Sequence, residues 1–117
     1  MMREPLKKIL SEIPREEAHG GSGARQMILS DKDPVSTQFQ AMTKGYLAPK
    51  GIFDWHSHEG VDEFFLVIQG TGIIRFQNGP EMNYQPNELI YIPADQVHQI
   101  ENTGNEENQF FFVRLNA

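Results

Sequence analysis

The sequence predicts an all-β domain, an antiparallel sandwich or barrel of short strands. Three observations support this. Short runs rich in β-branched and aromatic residues fill most of the chain, and turn residues break them at intervals of roughly ten residues. No long helical periodicity lies between them of the kind that would connect parallel strands. At 117 residues the chain can build one hydrophobic core but not two.

The start, "EPLKKILSEIP", spaces Leu6, Ile9, Leu10 and Ile13 as a helix would, with Pro14 as a stop, so a short amphipathic helix or a packing arm is expected. "REEAHGGSGAR" is polar and glycine-rich and reads as a flexible loop. The division expected is therefore an arm and loop over residues 1–24 and a single barrel domain over 25–117. His19, in the loop, is expected in solvent unless the loop folds over a barrel mouth. Strand runs then follow: "RQMILS" up to "DKDP", "STQFQAMTKGYLA" up to "PKG", and "EFFLVIQ" up to "GTG". "IIRF", "MNY", "LIYIP", "VHQIEN" and "QFFFVRL" complete the set.

Strand parity assigns faces. In "EFFLVIQ", Glu63, Phe65, Val67 and Gln69 share one side, and Phe64, Leu66 and Ile68 the other. Both sides are largely apolar, so one is expected to line the interior and the other to pack on a second sheet, the arm or a partner subunit. In "VHQIEN", His98 and Ile100 point together and are expected inward.

Composition removes several function classes. With no cysteine, neither a disulfide framework nor a thiolate metal site is possible, which fits a cytoplasmic location. No apolar run has the length of a membrane span, and the first ten residues are too polar for a signal peptide. The formal charge of −6, without a basic stripe, argues against nucleic acid.

What remains is a concentration of histidine. Two of only four lie one residue apart in "WHSHEGVDEFF", and i, i+2 residues on a strand share a face. The turn-like "EGVD" can swing Glu63 back beside His56 and His58, and inward-facing His98 would complete three nitrogens and one oxygen. Such donors suit one divalent transition metal: Fe, Mn, Ni, Co, Cu or Zn. Without a metal they would be a costly set of buried polar groups.

These residues also carry a family likeness. Gly51, His56, His58, Glu63 and Gly70 stand in the order of the first motif of the cupins, with one residue fewer than usual between the leading glycine and the first histidine. "NELIYIPADQVHQIEN" aligns Pro93, His98 and Asn102 with the second motif, while Asn87 and Asp95 occupy its two glycine positions. Asn and Asp are the non-glycine residues that best tolerate a left-handed turn. The chain thus resembles the cupins over roughly residues 37 to 115. The resemblance implies a jelly-roll, or double-stranded β-helix, barrel with His56, His58, Glu63 and His98 as metal ligands. It further implies a mononuclear metal enzyme of dioxygenase, isomerase or lyase type, or else a non-catalytic module that binds a metal or a small molecule.

Other polar residues are weaker candidates for catalytic roles. Gln69 shares the parity of Glu63 and could orient a metal-bound water. Tyr46 and Tyr91 are possible acid–base groups. Arg114 would clamp a substrate carboxylate if it faces inward with Phe110 and Phe112, but the expectation favours a solvated arginine. Trp55 is expected to pack. The partners expected are a small, partly apolar metabolite and a second copy of the chain, since outward Phe64, Leu66 and Ile68 need a cover.

Overall fold

A computed structural model describes residues 3–18, 21 and 23–117. Among the described residues ten strands form two antiparallel sheets. The six-stranded sheet runs β1 (Glu16–Ala18), β2 (Gly23–Ser30), β3 (Phe39–Leu47), β10 (Asn108–Asn116), β5 (Val61–Gln69), β8 (Leu89–Ile92). The four-stranded sheet runs β4 (Ile52–His56), β9 (His98–Asn102), β6 (Gly72–Phe76), β7 (Glu81–Tyr84). This is a jelly-roll barrel, as the sequence predicts. No described helix is long and apolar enough to cross a membrane.

Alternation places the core. Phe65 and Val67 on β5, Phe110 and Phe112 on β10, and Ile74 and Ile100 from the opposite sheet are all buried between the two layers. The Phe65 ring meets Phe110 edge-on at 4.7 Å and stacks on Phe112 at 5.2 Å. Each such side chain contributes about 1.5–3 kcal/mol by leaving water. Buried polar residues flank this core, with Glu63 and His98 toward one end and Asn102 and Asn108 toward the other.

Turn chemistry then sets the two ends. Asn87 and Asp95 adopt φ of 71° and 68°, the left-handed conformation that their motif positions require. Asp95 also does what a glycine could not: its Oδ1 accepts from Gly60 N at 3.0 Å, while its own N–H donates to His58 O at 3.2 Å. The turn before β9 thereby pins the turn before β5. At the other end Asn102, fully buried, donates to Leu47 O and Glu106 O and accepts from Gly104 N. Gly70 is needed beside it: φ is 86°, and a Cβ there would lie 2.0 Å from the Asn108 amide.

The N-terminal segment departs from expectation in two ways. Among the described residues of this segment only one 3-10 turn forms, at Leu10–Glu12, and Leu6 and Ile9 stay exposed rather than lying on a helix face. In the segment read as loop, Glu16–Ala18 pairs with β2, and β2 itself begins at Gly23. The boundary expected after residue 24 therefore falls inside a strand, because sheet pairing with β3 outweighs a local glycine-rich composition. The arm lies against the outer side of β2 and β3: the Gln26 amide donates to Leu10 O and Ile13 O, and the Arg15 guanidinium stacks 3.5 Å from the Tyr46 ring centre. Its described residues do not cover the outer side of β5 and β8, where Leu66, Ile68, Leu89 and Tyr91 are exposed.

Candidate metal centre

Cross-strand pairing builds the site at the end of the barrel that holds Glu63 and His98. His56 on β4 is the register partner of His98 on β9, so their rings stand side by side with centroids 4.3 Å apart. Glu63 on β5 is the register partner of Arg114 on β10, and Arg114 Nε donates to Glu63 Oε2 at 2.7 Å. His58, in the turn whose carbonyl Asp95 holds, brings its Nε2 to 3.7 Å from Glu63 Oε2. His98 Nε2 lies 3.8 Å from Glu63 Oε1. One nitrogen from each of the three histidines lies within 4.8 Å of the others.

The protonation pattern follows from hydrogen bonding. Nδ1 of His56 lies 2.6 Å from Asp54 O, and Nδ1 of His98 lies 2.9 Å from Gln96 O. A carbonyl only accepts, so each Nδ1 carries the proton, and each Nε2 presents a lone pair. Burial, the largest cause, pushes the His58 imidazole down to about 4 and lowers that of His98 as well, against the opposing pull of Glu63. Both are neutral at neutral pH, the form in which imidazole ligates a metal.

Nε2 of His58 and Nε2 of His98 are buried without any hydrogen-bond partner. Leaving such an atom unpaired costs about 1–3 kcal/mol, and here two converge on one carboxylate. Donors bound to one ion at about 2.1 Å stand roughly 3–4 Å apart, the range of the two Nε2–Glu63 separations. His56, His58, His98 and Glu63 are thus a donor set that could hold a first-row divalent ion, with carbonyls and Arg114 fixing ring and carboxylate orientation behind it.

Beside this cluster a cavity of about 40 Å³ opens between the sheets, lined by Arg25, Thr43, His56, Glu63, Phe112 and Arg114. A single water occupies about 10–15 Å³ on this measure, so the space suits a ligand of few heavy atoms.

The weaker candidates sort by position. Arg114 faces inward with Phe110 and Phe112, contrary to the favoured expectation of a solvated side chain: the Glu63 carboxylate opposite it draws the guanidinium in. Gln69 has the parity of Glu63 but lies six residues along β5, about 20 Å from it, where its amide donates to Glu107 O. Parity fixes a face and not a height, so Gln69 is remote from the cluster. Tyr46 is on the outer side of β3 under the arm, hydrogen-bonded to Gln26. Tyr91 is on the outer side of β8 with its ring 5.3 Å from Phe64. Neither tyrosine reaches the cavity. Trp55 points outward and is 46% exposed instead of packed. His19 lies outside the described residues. Sequence reading passed over Arg25 altogether. Its signal was the short Glu16–Arg25 hairpin pairing, hidden in a segment taken for a loop.

Comparison with known proteins agrees with this architecture. The family model described as "Cupin domain" matches residues 45–114. An "Oxalate-binding protein" of Thermotoga maritima is 28% identical over 107 residues, covering 88% of both chains. "Auxin-binding protein T92" of Nicotiana tabacum is 28% identical over 118 residues, and the match spans 89% of this chain but only 59% of the tobacco protein. Among solved structures, one described as "a predicted oxalate decarboxylase" from Thermotoga maritima superposes with a TM-score of 0.86 at 24% identity, over 96% of this chain and all of the other, a likeness of fold. With two motifs in order, the barrel and more than half its length matched, the chain belongs to the cupin family.

Proposed function

We propose that this cupin holds one divalent transition metal, Fe, Mn, Ni, Co, Cu or Zn, through His56, His58, Glu63 and His98 and uses it on a small organic anion. The observation that carries the reading is the pair of buried, unpartnered Nε2 atoms aimed at one carboxylate. When bound, such an ion supplies Lewis acidity toward an oxygen-bearing ligand. The chain does the rest. Backbone carbonyls of Asp54 and Gln96 hold two rings in one tautomer, Arg114 holds the carboxylate, and Phe112 and Ile100 keep the cavity wall dry. The relative's name, oxalate-binding, supports a small anionic ligand.

The enzymatic reading covers dioxygenase, isomerase or lyase chemistry. Elemental analysis followed by a metabolite panel with Fe(II), Mn(II) or Ni(II), with and without oxygen, tests it. Turnover or oxygen uptake is the expected outcome. Metal uptake and ligand binding without turnover would leave the second reading, a binding module, which the "binding" names of two relatives favour. A cytoplasmic location is part of the same proposal, and cell fractionation tests it. So is a homodimer through the apolar outer face of β5 and β8, where Leu89 is 61% exposed. Light scattering should return twice the chain mass, and a monomer at micromolar concentration would refute the dimer.

A further inference from the structure

Arg25 lies on the inward side of β2, opposite Gly45 of β3, and lines the same cavity as His56, Glu63 and Arg114. Two arginines from different strands therefore face one small space. Each is held in the same way, by a single bond from Nε to a glutamate that is its register partner on the neighbouring strand. For Arg114 that partner is Glu63, at 2.7 Å. For Arg25 it is Glu16 of β1, at 2.8 Å. Among the described residues neither arginine makes a hydrogen bond through its two terminal nitrogens. A guanidinium pinned through Nε keeps its outer fork oriented for a carboxylate.

The two arginines are not equivalent. Arg114 is spent on the buried Glu63, and its side chain is only 18% accessible. Arg25 and Glu16 are 41% and 54% accessible, so their pairing is solvent-screened and readily shared with an incoming anion. Charge gives the valence of that anion. Each guanidinium is balanced by its own glutamate, and an imidazole that ligates a metal does so in its neutral form. A divalent ion in the site would leave two positive charges uncompensated, which a dicarboxylate matches and a monocarboxylate does not. Size agrees, since the cavity of about 40 Å³ excludes a long chain.

We propose that Arg25, presented by the β1–β2 hairpin and oriented by Glu16, is the anchoring residue that reads the second carboxylate of a short dicarboxylate ligand. The inference rests on the metal-dependent reading of the site. It adds to the barrel a specificity element from the N-terminal hairpin, which lies outside the matched family segment.

The test is calorimetric titration of the Mn(II)-loaded protein with oxalate and with acetate, for the wild type, Arg25→Gln and Arg25→Lys, with metal content measured on every sample. Metal content is expected to be unchanged in both variants, because Arg25 is not one of the four donors and its ion pair is with Glu16. Oxalate affinity is expected to fall at least 10-fold in Arg25→Gln, with partial recovery in Arg25→Lys, while acetate affinity changes less than 2-fold. Equal losses for both ligands, or an unchanged oxalate affinity in Arg25→Gln, would overturn the assignment. So would a wild type that takes up Mn(II) but does not bind oxalate, although the metal reading would then stand. A wild type that takes up no metal overturns both.

Discussion

Replacing Arg114 with methionine keeps most of the aliphatic stem and removes the charge. Glu63 is 1% exposed and Arg114 Nε is its one hydrogen-bond donor among the described residues, so the variant leaves a buried carboxylate with no partner in the metal-free protein. Breaking such a pair costs about 3–5 kcal/mol. The expected loss is therefore about 3 kcal/mol with chelator present, or roughly 12 °C in Tm for a chain of this size. A bound divalent ion restores a counter-charge, so with metal the loss should drop to about 1 kcal/mol. Urea unfolding of both proteins at pH 7, with chelator and with metal, reads both losses. Equal losses with and without metal, or a loss under about 0.5 kcal/mol in chelator, would refute the view that Arg114 and the ion share one carboxylate.

Three further outcomes follow from the same geometry. His58→Leu removes a buried nitrogen with no partner, so the metal-free variant should be as stable as the wild type or more so, while its metal affinity collapses; thermal unfolding with chelator and equilibrium dialysis check the two halves. The depressed imidazoles make the metal-free protein acid-sensitive. As pH falls from about 6.5 toward the folded value of about 4, the unfolded chain takes up protons first. His58 alone then removes about 3 kcal/mol, a loss readable by urea unfolding across that range. Asn102→Ala breaks three hydrogen bonds, one of them fully buried, at the far end of the barrel and should cost about 3 kcal/mol without changing metal content.

The strand grammar was legible because each run between turns obeys one parity. Glu63, Phe65 and Val67 point inward as alternation requires, and His98 with Ile100 likewise. The left-handed turns at Asn87 and Asp95 were legible from the motif's glycine positions, which Asn and Asp tolerate best after glycine. What alternation could not supply was height along a strand and cross-strand partnership. Gln69 shows the first: the correct face, at the wrong end of the barrel. Arg114 shows the second, since only the register that sets it against Glu63 explains why a charged side chain turns toward the interior. Arg25 failed for the same reason, compounded by a glycine-rich neighbourhood that masks a three-residue strand. Tyr46 and Tyr91 were named on chemistry alone, and the sheet places them outside.

Metal stoichiometry tests the central claim most directly. The chain is stripped with chelator, dialysed against each of Fe(II), Mn(II), Ni(II), Co(II), Cu(II) and Zn(II), and measured by elemental analysis beside His98→Ala, whose folding is verified by circular dichroism. About one ion per chain in the wild type, and almost none in the folded variant, is the expected result. No retained ion in the wild type, or equal retention in His98→Ala, would contradict a centre built on the three imidazoles and Glu63.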